Sequence, residues 1–260
     1  MTSASAPVSA STSDRSRARP NPLRWFYSAA AVAMLVLSVI GFRHFYLQGQ
    51  SYPGRPITPP IRGLIVAHGA AMSAWIVLMI VQPLLIAVRR HRLHMTLGRI
   101  GAVLAAAIVV LGLVVATRSA AVTPPDVTFG PLNPRQFMAV PYAGALLFGL
   151  YVALGVWYRR RPDIHRPMMF LATLAAIPAA MDRIDDIRNL YAGTFLYAVW
   201  GPFFSALAIG TALLAVKCAL ARSFDRWFAA GLAGLFLGFG VMYQMASTAA
   251  WGRFADLMIG

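Results

Sequence analysis

Two basic turns carry the histidines of this chain that are best spaced for chemistry. Arg89-Arg90-His91-Arg92-Leu93-His94 and Arg159-Arg160-Arg161-Pro162-Asp163-Ile164-His165-Arg166 each stand between long apolar runs. Setting His94 on His165, an offset of 71 residues, also superposes Arg89 on Arg160, Arg90 on Arg161, Leu93 on Ile164, Leu97 on Met168 and Ile100 on Leu171. That pattern suggests an internal two-helix repeat. Both copies would run helix, basic turn, helix in the same sense, related by an axis along the membrane normal, so that His94 faces His165. Two neutral imidazoles so placed are the axial ligand set of a b-type haem. Arg90, Arg99 or Arg161 would neutralise its propionates. The plainer alternative is a pair of solvated histidines among arginines at the headgroup level.

Inside the second apolar run, His68, Trp75 and Gln82 are seven residues apart and share one helix face, drifting only about 20° per step. Ionisable groups in a membrane helix normally face a partner or cavity, so this polar face should point into the bundle. His68 reads either as a haem or metal ligand or proton carrier, or as an interhelical hydrogen-bonding group. Its place about six residues into the helix favours the second. After the fifth run, Asp182, Asp185 and Asp186 hold three of the eight acidic residues. If helical they share a face and offer, with His44 or His68, a cation site or proton relay; the alternative is an interfacial cap paired with Arg183, Arg188 and Arg135. No H-E-x-x-H, P-loop, Ser/His/Asp arrangement or zinc-type Cys/His cluster occurs. The one cysteine, Cys218, excludes an internal disulfide.

The elements that must position these residues are membrane helices. Of the 260 residues 59% are hydrophobic and only 12% charged, against about a quarter charged in soluble domains. Seven apolar runs approach the roughly 20 residues needed to cross a bilayer, near 25–42, 63–88, 98–117, 137–158, 167–182, 194–216 and 227–246. The expected fold is all-α, a polytopic bundle of about seven transmembrane helices in one domain over 22–246. A disordered tail over 1–21 precedes it and an interfacial tail over 247–260 follows it. With the N-terminus cytoplasmic, 15 of the 23 basic residues fall on cytoplasmic segments, as the positive-inside rule requires. The net charge of +15 is therefore a topology signal facing anionic lipid rather than a nucleic-acid footprint. In the sixth run Trp200-Gly201-Pro202 predicts a kink. In the seventh, Ala230, Gly234 and Gly238 make a small-residue face.

The blocks His68-Gly69 with Ala74-Trp75, Gln82-Pro83, Leu93-His94 with Leu97-Gly98-Arg99, and Ile164-His165-Arg166 with Met168-Met169 resemble a group of uncharacterised bacterial multi-pass membrane proteins. More distantly, the histidine-basic-x-x-methionine helix start is similar to small membrane proteins of haem-copper oxidase assembly, and the histidines on alternate helices to four-helix diheme b-type cytochromes. The resemblance implies the bacterial inner membrane, with lipid and other membrane proteins as partners. On the 71-residue offset the counterpart of His68 is Ala139, so one histidine of a diheme set is missing. Three function classes follow: a b-type haem or quinone-linked redox or assembly protein, a transporter for a small solute or ion, and a non-catalytic scaffold or sensor. Lys217, the only lysine, lies in the sixth run and none lies in the seventh, which argues against a rhodopsin. If the basic turns are cytoplasmic, a cytoplasm-active reporter fused after Arg92 gives signal and one fused after Thr128 gives none; the opposite pattern would invert the topology.

Overall fold

The computed structural model describes residues 23, 25–52 and 54–260, so the tail expected over 1–21 lies outside them. Eight helices carry the fold: α1 (Phe26–Gly41), α2 (Arg62–Ala87), α3 (His91–Val122), α4 (Pro134–Trp157), α5 (Pro162–Met181), α6 (Phe195–Ala221), α7 (Arg226–Met245) and α8 (Ala249–Ile259). Six of them, α2 to α7, are long and apolar enough to cross a membrane. The first is shorter, 16 residues or about 24 Å at 1.5 Å per residue. The chain is therefore a multi-pass membrane protein, an all-α bundle. The proline-rich loop after α1 is more structured than expected. It holds a six-residue helix, Arg43–Gln48, and a two-stranded antiparallel pair of Gln50–Tyr52 with Arg55–Pro56.

The centre of the bundle is α5. In the most apolar stretch of α5, 72% of residues are buried, against 11% in α2 and 28% in α3. It touches α1, α2, α4, α6 and α7, and Phe170, Leu171, Leu174 and Ala175 are all but inaccessible. A helix apolar around its whole circumference is buried on all sides. The flanking helices instead turn Val36, Val77, Val103, Leu150 and Leu237 outward, where acyl chains would cover them. The small-residue face of α7 packs within the chain: a Cβ built on Gly234 would stand 2.5 Å from Tyr151 Oη and one on Gly238 2.9 Å from Leu147.

The kink expected in α6 is present as a 3₁₀ turn over Gly201–Phe203. Gly201 has φ +54°, and a Cβ there would lie 2.2 Å from the Tyr243 ring, so only glycine fits. Pro202 cannot donate to the carbonyl four residues back, at Ala198. Gln244 Nε2 donates instead to Ala198 O at 2.8 Å and to Val199 O at 2.9 Å, the internal satisfaction that a backbone at membrane depth requires. The tail expected at the interface is α8, docked by Trp251 Nε1 donating to Arg135 O at 2.9 Å and by the Arg135–Asp256 pair at 3.1 Å.

At the other end, the ammonium of Lys217 is held by Asp225 and Tyr27 and lies over the Tyr27 and Phe228 rings. Asp225 also caps α7, accepting from Phe228 N at 2.9 Å. Removing one partner of such a largely buried pair leaves the other charge uncompensated. Lys217→Met is expected to lower stability in detergent by about 3 kcal/mol. Lys217→Met with Asp225→Asn, which keeps a cap and drops the charge, should recover much of it; paired thermal unfolding curves check this.

Candidate functional site

His94 and His165 meet. Each is the fourth residue of its helix, α3 starting at His91 and α5 at Pro162, and their ring centroids are 6.4 Å apart with planes at 86°. The two hairpins, α2 with α3 and α4 with α5, keep the 71-residue offset from their second helices onward: the N-caps are Arg90 and Arg161. The first helices end at Ala87 and Trp157, an offset of 70, because the second turn carries one residue more. The counterpart of His68 is thus Met138, not Ala139. The third apolar run also begins earlier than expected. Its helix takes in His91, so His94 stands on α3 rather than before it.

The backbone decides the state of His165. Its Nδ1 lies 2.8 Å from Gly155 O, one of the last four carbonyls of α4, which have no helical donor. A carbonyl only accepts, so Nδ1 carries a proton, and in the neutral imidazole Nε2 is then the atom with the lone pair. Gly155 makes the contact possible, since a Cβ there would stand 2.6 Å from Met169 Sδ. No side chain marks this acceptor, because it is a main-chain atom. His94 is half-buried, and its Nδ1 is inaccessible and has no hydrogen-bond partner among the described residues. Of the arginines expected around the pair, Arg90 and Arg99 are exposed. Arg161 is paired with Asp163 at 2.9 Å and lies 5.6 Å over the Trp227 ring.

The polar face of α2 points inward along its length. Trp75, 1% exposed, donates through Nε1 to Thr173 Oγ1 of α5 at 3.1 Å and meets Phe148 edge-on at 4.8 Å. Gln82 Nε2 donates to His94 O at 3.3 Å. His68 stands against Gly112 of α3, where a Cβ would come within 3.4 Å of its ring. Its Nδ1 and Gln82 Oε1 are buried and without partners among the described residues.

The acidic cluster does not form the shared face expected of it. The helix breaks after Asp182, and Ile184 is extended before a separate turn, Asp185–Asn189. Asp185 pairs with Arg188 at 2.7 Å. Asp182 accepts from Tyr52 Oη at 3.2 Å, a partner that nothing in the sequence marked. Arg135 is committed to Asp256 instead. His44 pairs with Gln48 of its own short helix at 2.8 Å. Among the described residues no three His, Cys, Asp or Glu side chains converge to hold a metal ion, so His44, His68, Asp182, Asp185 and Asp186 are not brought together as one site. A hollow of about 350 Å³ at this end is lined by uncharged residues, Thr194, Tyr197, Tyr243, Gln244 and Ser247 among them.

Burial raises the Asp182 carboxyl above the usual value, outweighing Arg183, the Tyr52 hydroxyl and Arg188, which lower it. A raised carboxyl binds its proton more tightly folded than unfolded. Its contribution is therefore fully present below about pH 4 and lost as pH rises through the raised value. The melting temperature in detergent should show this fall, and Asp182→Asn should flatten that part of the profile; equal slopes would overturn the assignment. Set beside known proteins, the chain matches no protein-family model, no curated protein and no solved structure.

Proposed function

We propose that His94 and His165 are the axial ligands of a b-type haem in a redox or oxidase-assembly protein of the bacterial inner membrane. One observation carries this: the same position of two repeated hairpins places two imidazoles 6.4 Å apart, centroid to centroid, and one of them is fixed with Nε2 bare. Hydrogen-bonding the far nitrogen to a carbonyl orients a ligating histidine and raises its basicity. Arg90 and Arg99 make no ion pair among the described residues, so two guanidinium groups stand ready for propionates. Such a group would supply one-electron chemistry. The chain's part is to hold both imidazoles neutral and to shield them with the ends of four helices. The likeness of the helix start to oxidase-assembly proteins points the same way.

A second reading, passage of a small solute or proton along the seam of α2 and α3, draws on the unpartnered His68 Nδ1 and Gln82 Oε1. Buried polar atoms of this kind are commonly served by water. Partner membrane proteins would dock on the lipid-facing helices in either case.

A reduced-minus-oxidised visible spectrum of the purified protein, expressed with haem supplied, tests the first reading. A sharp α-band is expected in wild type and in His68→Ala, and none in His94→Ala or His165→Ala. A featureless wild-type spectrum at full haem supply would overturn it. Loss of uptake in His68→Ala vesicles, with His94→Ala unaffected, would establish the second.

A further inference from the structure

We infer that Gln82 is the positioning residue of His94, and that it holds His94 in the Nδ1–H tautomer with Nε2 bare. This rests on the reading of His94 and His165 as a ligand pair. Two buried polar atoms without partners among the described residues belong to the two residues joined here: Gln82 Oε1, which can only accept, and His94 Nδ1, which can donate. They are brought together by the other half of the same amide, whose Nε2 donates to His94 O at 3.3 Å. That contact fixes the amide's orientation, since turning it over would set Oε1 against a carbonyl oxygen. A hydrogen bond from Nδ1–H to Oε1, direct after a small side-chain rotation or through one water, satisfies both atoms.

The two copies of the repeat thus reach one end by different means. On the 70-residue offset of the first helices, the counterpart of Gln82 is Val152, a buried residue with nothing to offer an imidazole. There the acceptor is the terminal carbonyl Gly155 O. Where α2 places no carbonyl, it supplies an amide side chain. Both imidazoles then present Nε2 and neither presents a proton to the other.

The test is read without haem. Full-length protein labelled with ¹⁵N-histidine, in lipid nanodiscs, has five histidines, and the His94 and His165 signals are assigned by their loss in His94→Ala and His165→Ala. Wild type is expected to show both residues as Nδ1–H. Gln82→Leu should raise the Nε2–H tautomer of His94 at least threefold and leave His165 unchanged; Gln82→Glu, which keeps an acceptor oxygen, should retain the wild-type tautomer. If wild-type His94 carries its proton on Nε2, or if Gln82→Leu leaves its tautomer unmoved, the inference fails. A variant that disturbs the whole bundle would move His165 as well, so His165 separates positioning from misfolding. In haem-loaded protein Gln82→Leu should weaken haem affinity about 10-fold or more, the usual cost of losing a ligand's outer partner. A featureless wild-type spectrum would sink the haem reading while leaving the tautomer result to decide the role of Gln82.

Discussion

A helix buried on every side fixes where all its neighbours can go, and α5 is that helix. Along its buried stretch, each polar atom it carries needs a partner from a specific neighbour. Thr173 receives the indole N–H of Trp75, which sets the rotation and height of α2. His165 takes Gly155 O, which sets the close approach of α4. Lateral packing in lipid gains little from a hydrophobic driving force, since acyl chains are as apolar as leucine. These few hydrogen bonds, with the interlocking of small and large side chains, therefore specify the arrangement. The position of the histidine pair follows from them.

The two ends of the bundle use charge differently. At the end of the proline-rich loops, Asp256 pairs with Arg135 and Asp185 with Arg188, and Arg183 lies over the Phe42 and Tyr52 rings. At the histidine end only Asp163 and Asp225 offset the arginines and Lys217, leaving Arg89, Arg90, Arg92, Arg99, Arg159, Arg160 and Arg166 exposed. Unpaired positive charge there suits anionic headgroups and gives any bound anion a favourable field.

The sequence made the membrane bundle legible because length and apolarity are local properties. It also carried the pairing of His94 with His165, because a repeated basic turn brings the same helix position of two hairpins to one end. It misled at Asp182, where three acids at helical spacing read as one face: the chain leaves the helix at Ile184, and periodicity presumes a helix that goes on. It misplaced the counterpart of His68 by one residue, since an insertion inside a turn leaves no mark on an ungapped offset. Gly155, Tyr52 and Thr173 were invisible for a common reason. Each acts through an atom whose role depends on a neighbour more than nine residues away in the chain.

The asymmetry between the two hairpins bears on how many centres the bundle can hold. A pair of sites would need His68 to have a counterpart in α4, and that place is Met138, 1% exposed in the core. His68 itself stands against Gly112. Among the described residues the opposite end therefore sets no imidazole opposite His68. Under the haem proposal the one centre would lie beside the basic turns, and a redox partner would reach it most directly at that face. Arg90 and Arg99, exposed and without an ion pair among the described residues, would then meet that partner as well as the propionates.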